Sequence, residues 1–392
     1  MTPTEHSLID RAKVLIQPLD AKRAEEALAR VLEKADGALA ALLLERPQAR
    51  DLLLGVVGAS PYLTDLSARD PARLARILIS DPAQRVEALI EETRNIETQD
   101  EAELMRLLRL TKQDAALVIA LADLSKVWDM PEATQALTRI ADATLSAAIR
   151  FTLRAAALAG KIELADQRDP ERGSGWIFLG MGKGGAFELN YSSDIDLIVF
   201  FDRSRARLAD PSEDVDFFVK LTKRIVRIMS ERTVDGYVFR TDLRLRPDPG
   251  ATPIAIPLEA ALSYYESMGQ NWERAAYIKA RPVAGDIFAG EQFLQELAPF
   301  VWRKYFDFAA IADVHSIKRQ IHAHKGHGKI AVAGHNIKLG RGGIREIEFF
   351  VQTQQLITGG RDRRLRGRST LAMLDQLVES GWVAREARDD LR

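Results

Sequence analysis

Up to about residue 165 the apolar positions recur at helical spacing. Leu137, Ile140, Ala141, Thr144, Leu145 and Ala148 fall at i, i+3, i+4, i+7, i+8 and i+11, a single stripe. Residues 22–44 are rich in Ala, Leu, Glu and Arg, all good helix formers. Ser60-Pro61 and Asp70-Pro71 each set a capping side chain before a proline, which predicts two helix starts. The pattern changes at residues 165–174, a polar, turn-rich connection. Trp176 to Leu179 are continuously apolar, which suits a buried strand, and so are Leu197 to Phe201. Residues 214–232 return to helical period, with Phe218, Leu221, Ile225 and Ile228 on one face. Residues 237–246 alternate. Tyr237, Phe239, Thr241, Leu243 and Leu245 face one way; Arg240, Asp242, Arg244 and Arg246 face the other, which predicts a strand. Residues 260–276 read as helix and 277–282 as a short strand with Lys279 and Arg281 on one face. From 286 to 392 helices resume, interrupted by a loop at 336–343. The expected organisation is α+β: a helical region at 1–165, a mixed core at 166–285 and a second helical region at 286–392.

Composition narrows this picture. The 392 residues carry a net charge of −1, so no basic domain argues for nucleic acid. There is no cysteine, which excludes a disulfide scaffold and thiol chemistry. No run of about 18 apolar residues offers a membrane span, and the first twenty residues lack the apolar core of a signal peptide. These features fit a cytoplasmic protein.

The chemistry concentrates between the first two apolar runs. Gly180, Gly182, Gly184 and Gly185 form a glycine turn that includes Lys183. Backbone N–H groups of such a turn approach a phosphate closely, and a lysine adds a point charge. Ser193-Asp194-Ile195-Asp196 follows. Asp194 and Asp196 are two apart at the mouth of a strand, so they share a side. A solvated strand end is the plain alternative. The glycine turn upstream favours a pair of hard oxygen ligands for Mg²⁺. No G-x-x-x-x-G-K-[ST] is present. The pattern resembles the polymerase-beta-type nucleotidyltransferase fold, in which a glycine turn precedes Asp-x-Asp by about a dozen residues. That resemblance implies a mixed sheet with flanking helices and a third carboxylate from a later strand, for which Asp242 is the candidate. The arginines beside Asp242 suit phosphate. His315, His322, His324 and His327 match no zinc spacing and read as polar surface. The loop 336–343 combines Lys338, Arg341 and glycines, then opens a helix near Ile344 whose N-terminus favours anions. That helix carries a polar stripe at Arg345, Glu348, Gln352 and Gln355, read as a core helix or as a second wall of the nucleotide site.

Five stretches in this order resemble the bacterial glutamine synthetase adenylyltransferase/adenylyl-removing enzymes. They are GMGKGG with EL and SDID at 180–196, FRTDLRLRP at 239–247, WER with IKARPVAG at 272–285, IKLGRGGIREIEF at 337–349, and Gln352 with Gln355-Leu356-Ile357. The family joins two nucleotidyltransferase halves. With one Asp-x-Asp core behind a long helical region, this chain looks like the N-terminal, AMP-removing half, with a truncated C-terminal region. The resemblance implies phosphorolysis: phosphate attacks the AMP–tyrosine phosphodiester and releases ADP. It implies Asp194, Asp196 and Asp242 as catalytic ligands of two Mg²⁺ ions. Gly182, Lys183 and Ser193 are candidates for the nucleotide phosphate of AMP, ADP or ATP. Arg244 and Arg246 are candidates for the attacking phosphate, with Lys279, Arg281, Lys338 and Arg341 behind them. The implied partners are glutamine synthetase and the PII signal protein, uridylylated or unmodified. The rival readings are ATP-dependent adenylylation, a PII-binding regulatory fragment, and a small-molecule antibiotic nucleotidyltransferase, which leaves four of the five stretches unexplained.

Overall fold

The computed structural model describes residues 6–35, 37–303, 334–338 and 340–392. The four histidines at 315, 322, 324 and 327 lie outside the described residues.

The chain divides into two compact units. The first takes residues up to Phe151 together with Glu188–Ser193 and Ile225–Arg240. Its helices start where the capping residues stand. Ser60 accepts from the Leu63 N–H at the head of Pro61–Arg69, and Asp70 accepts from the Arg73 N–H at the head of Pro71–Leu78. Residues 22–44 form two helices rather than one, Ala21–Leu32 and Gly37–Glu45. The chain turns at Glu33 and Lys34 between them. All six residues of the stripe from Leu137 to Ala148 are buried, on the helix Met130–Leu158.

The central helix Glu101–Leu124 holds the incoming segment around residue 235 by side-chain donors. Arg109, fully buried, donates to the carbonyls of Gly236 at 2.9 Å and Glu231 at 2.5 Å. Gln113 donates to the Asp235 carbonyl at 2.9 Å. These side-chain donors anchor the turn in which the Thr233 N–H also donates to the Gly236 carbonyl, at 2.9 Å.

The second unit takes Thr152–Phe187, Asp194–Arg224 and Thr241–Arg392. Its strands are β1 (Ile162–Glu163), β2 (Trp176–Gly180), β3 (Ile195–Phe201), β4 (Arg207–Leu208), β5 (Thr241–Asp242), β6 (Ile256–Pro257) and β7 (Arg281–Gly285). β1 and β4 form a separate two-stranded ribbon. The other five make a mixed sheet. β2 runs antiparallel between β3 and β7, while β5 and β6 pair parallel with the two ends of β3. Both faces of β2 and β3 are covered, which is why their sequences are apolar without alternation. Ile177, Leu179, Ile198 and Phe200 pack with Tyr265, Phe293 and Leu356. Trp176 packs edge-on to Phe178, and Phe201 stacks on Phe218 with centroids 4.5 Å apart. The class is α+β, as the hydrophobic pattern predicts.

Two strand expectations require correction. Residues 237–246 do not form one alternating strand: only Thr241–Asp242 pair, and Val238 and Phe239 are both buried. Adjacent buried residues cannot share a strand that buries one face, so packing overrides the alternation. The strand expected at 277–282 begins only at Arg281, because Asn271–Tyr277 is helix, started by a capping box between Gln270 and Glu273.

The glycine turn is a single helical turn, Gly182–Gly185, whose glycines are not equivalent. A Cβ at Gly185 would lie 1.9 Å from the Lys279 carbonyl oxygen and 2.5 Å from that of Gly180. Nothing stands within 4 Å of a Cβ at Gly184. Gly185→Ala is therefore expected to destabilise the protein by about 3 kcal/mol through forced backbone displacement, and Gly184→Ala to be neutral or slightly stabilising. Chemical unfolding of the two variants checks this; equal stabilities would refute the packing argument.

Candidate active site

Backbone pairing assembles the site. β3 and β5 run parallel with Asp196 in register with Asp242, and neighbouring strands stand about 4.8 Å apart. Asp194 precedes β3 by one residue. The Met181 N–H donates to the Asp196 carbonyl at 2.9 Å, which docks the glycine turn on β3. Gly182 has a φ of +52°, and a Cβ there would come 3.2 Å from Asp196 Oδ2. The glycine thus serves twice, in backbone conformation and in clearance for the carboxylate.

The electrostatics follow from this crowding. Burial, then the charges of Asp242 and Asp194, push the Asp196 carboxyl up to about 6; the cations Arg345 and Lys338 oppose the shift. Asp242 goes the other way. Arg244 donates to both its oxygens, at 2.9 and 3.0 Å from Nε and 2.5 Å from Nη2, which holds its pKa below the usual range. Among the described residues no three carboxylate or imidazole side chains stand gathered as a ready metal cage. The donor set nonetheless suits a hard divalent cation. Asp196 and Asp242 are in register on neighbouring strands, and Asp196 feels the negative charge of both Asp242 and Asp194.

The other expected residues divide by role. Arg246 gives its guanidinium to the carbonyls of Leu243, Pro249 and Thr252, at 2.7 to 3.3 Å, and so shapes its own loop. Lys279 is 2 % exposed and pairs with Glu348, with a second bond to Thr370 Oγ1 at 3.0 Å. It is a buried tie between β7's approach and the helix Ile344–Thr358, not a surface phosphate clamp. Arg281 donates to the Gly184 carbonyl at 3.1 Å and lies 3.9 Å above the Phe187 ring. It shapes the glycine turn from behind. Lys183 is half-buried on that turn. Lys338 and Arg341 are exposed on the loop before Ile344. Lys338 is tied in by its carbonyl, which accepts from the Arg345 N–H at 3.1 Å. Ser193 belongs to the first unit, where its N–H donates to the Asn190 carbonyl at 3.2 Å.

One charged residue is missing from the expected set. Arg345 bears on Asp196 more strongly than Lys338 does. Its signal was present in the polar stripe on its helix, but a stripe alone does not say which member faces a carboxylate. Gln355, from the same stripe, is spent on structure: it donates to the carbonyls of Leu365 and Gly367 at 2.9 and 2.8 Å.

Comparison with known proteins gives the following matches. The family model for glutamate-ammonia ligase adenylyltransferase matches residues 51–296, and that for GlnD PII-uridylyltransferase matches residues 315–392. Similar curated proteins include three named bifunctional glutamine synthetase adenylyltransferase/adenylyl-removing enzyme. The protein from Brucella suis is 55% identical over 97% of this chain, that from Mesorhizobium japonicum 56% over 96%, and that from Rhizobium meliloti 52% over 99%. The chain spans only 38%, 39% and 40% of their respective lengths.

The raised Asp196 pKa has a sign that stability measurements can read. A folded-state pKa above the unfolded value contributes stability at low pH that is lost as pH rises through about 6. In metal-free buffer at pH 8, Asp196→Asn is expected to be more stable than the parent by about 1–3 kcal/mol. The gain should shrink toward zero at pH 4. Urea unfolding with chelator at both values checks this, and a gain that is equal at the two pH values would refute the assignment.

Proposed function

The chain belongs to the glutamate-ammonia ligase adenylyltransferase family, and on that premise we propose that it removes AMP from an adenylylated tyrosine of glutamine synthetase by phosphorolysis. In this reading it corresponds to the N-terminal, adenylyl-removing half of its longer relatives, with a polymerase-beta-type nucleotidyltransferase core at 166–285, and works in the cytoplasm. No helix among the described residues is long and apolar enough to cross a membrane. The observation that carries the proposal is the register of Asp196 with Asp242, with Asp194 two residues before and Gly182 against the Asp196 carboxylate.

The reaction exchanges one P–O bond for another. An oxygen of HPO₄²⁻ attacks the phosphorus of the AMP–tyrosine diester, the bond to the tyrosine oxygen breaks, and the proton of the phosphate passes to the departing tyrosinate. The products are ADP and free tyrosine, and charge is conserved. Two anions must meet, so the main barrier is electrostatic. Asp194, Asp196 and Asp242 would hold Mg²⁺, which when bound supplies charge neutralisation to the phosphoryl oxygens. Gly182 and Lys183 would receive the nucleotide phosphate. Arg244, Arg345 and Lys338 supply positive charge at the carboxylates, and Arg341 extends it along the loop. For Asp242 to act as a ligand, Arg244 must exchange one anion for another, and the incoming phosphate is suited to take its planar donors. Lys279, Arg281 and Arg246 support this machinery through structure.

The match of residues 315–392 to a PII-uridylyltransferase model supports a regulatory contact of the C-terminal region with PII. The names of the relatives carry both directions of the reaction, so ATP-dependent adenylylation is the second reading.

Incubation with adenylylated glutamine synthetase, Mg²⁺ and phosphate is expected to release ADP, with turnover reduced about 100-fold or more in Asp194→Asn. Chromatography of the products decides. AMP in place of ADP would indicate hydrolysis, and modification of the unmodified protein by ATP with no ADP release would reverse the direction.

A further inference from the structure

Residues 361–368 of the second unit hold five arginines and a single acid, Asp362. That acid is spent locally. Arg364 donates to both of its oxygens, at 2.7 to 3.1 Å. Of the acids on the following helix, Thr370–Glu379, Asp375 is taken by Arg388 and Arg392 at 3.7 and 3.3 Å, and Glu379 bears on Arg364. Arg363, Arg366 and Arg368 have no carboxylate hydrogen-bonded or ion-paired to them among the described residues. They are crowded by other cations instead. Burial, then Arg363, lowers the pKa of Arg366; burial, then Arg281, lowers that of Arg368. Each is a charge held where a like charge opposes it.

The chain nonetheless fixes this band in place. Arg366 Nε donates to the Gly359 carbonyl at 2.6 Å, with its guanidinium 5.4 Å from the centre of the Trp302 ring. Arg368 Nε donates to the Ala280 carbonyl at 2.8 Å. Gln355 holds the backbone between them at Leu365 and Gly367, and the Gly367 N–H donates to Met373 Sδ at 3.2 Å. Both arginine anchors use the inner nitrogen. The outer Nη groups of Arg366 and Arg368 make no hydrogen bond to a described residue. Those groups form the fork that takes an oxyanion by two parallel bonds. A repelling set of cations, pre-organised with its forks unspent, is suited to an anionic partner.

The place of the band says which anion. Arg281, the neighbour of Ala280, donates to the Gly184 carbonyl near the end of the glycine turn, whereas Gly182 at its start faces the Asp196 carboxylate. N–H and C=O groups of a helical turn point opposite ways. The band therefore joins the flank of the turn that is turned from the carboxylates, where a phosphate ion is out of reach of the reacting phosphorus. A protein substrate can span both places. A net charge of −1 over the whole chain gives no extended basic field for a nucleic acid.

We propose that Arg363, Arg366 and Arg368 form a docking band for an acidic segment of the protein substrate, whose carboxylates bind the arginine forks while the modified tyrosine reaches Asp194, Asp196 and Asp242. The proposal rests on glutamine synthetase being that substrate, and the test separates the two. Binding of adenylylated glutamine synthetase to the immobilised chain is measured by surface plasmon resonance at about 20 mM and about 500 mM salt, where the Debye length is about 20 Å and about 4 Å. The variants are Arg363→Ala, the double variant Arg363→Ala/Arg368→Ala, and Arg207→Ala. The Arg363 side chain makes no hydrogen bond to a described residue, so its single variant tests the band without touching an anchor. Arg207 pairs with Glu163 on the separate ribbon and serves as the control. At low salt Kd is expected to rise about threefold in Arg363→Ala and about tenfold or more in the double variant, with Arg207→Ala at the parent value. The differences should shrink toward unity at high salt, and KM for phosphate in ADP release should stay at the parent value. Parent-like Kd in the single and double variants would overturn the proposal. So would a raised KM for phosphate with unaltered protein binding, which would make the band a phosphate site. Loss of PII binding with glutamine synthetase binding intact would give the band to the regulator and overturn it as well. No binding of glutamine synthetase by the parent would overturn the proposal together with the substrate assignment. Band-dependent binding without ADP release would uphold the band and overturn the phosphorolysis reading alone.

Discussion

The site depends on one constraint: two carboxylates are held side by side against their own repulsion. Asp196 and Asp242 cannot drift apart because the backbone register of β3 and β5 sets their separation. The register of β3 is in turn fixed by the buried Leu197–Phe201 run and its antiparallel partner β2. A one-residue slip would turn every one of those side chains to the wrong face. The apolar core thus sustains a local electrostatic cost, which shows as the raised pKa of Asp196. Negative charge concentrated in this way is what a divalent cation can relieve.

A second layer keeps the surrounding cations in place. The Lys279 carbonyl closes on Gly185, so the glycine turn cannot lift away without meeting that backbone. The side chain of the same residue grips Glu348 one turn along from Arg345. One buried lysine therefore couples the turn beneath Asp196 to the helix that opposes its charge. Breaking such a pair leaves a charge without compensation in the interior, so its two partners act as a unit.

Much of this was legible in the chain. Proline after a capping residue marked two helix starts, and continuous apolar runs marked β2 and β3, because both signals are local. Asp194 and Asp196 stood out as a pair two apart behind a glycine turn, and Asp242 entered only through the resemblance to a fold with a third carboxylate; the structure puts Asp242 in register with Asp196. The misreadings were tertiary. The alternation of residues 237–246 suggested a strand, yet Val238 and Phe239 are both buried. Lys279 and Arg246 resembled phosphate ligands by residue type, but one is sealed in a buried pair and the other braces a loop with its guanidinium. Arg345 was visible only as one of four polar residues on a helix. A cation's role depends on what faces it, and a sequence records only its neighbours along the chain.

β5 is only two residues long. A strand that short has few ladder bonds to lose, so local opening there costs far less than opening of the seven-residue β3. The three carboxylates are therefore unequal in rigidity: two sit at the mouth of a long buried strand, and the third rides on a segment that can fray and re-form. A ligand spanning all three must draw on its binding energy to suppress that fraying, which makes completion of the site part of ligand recognition.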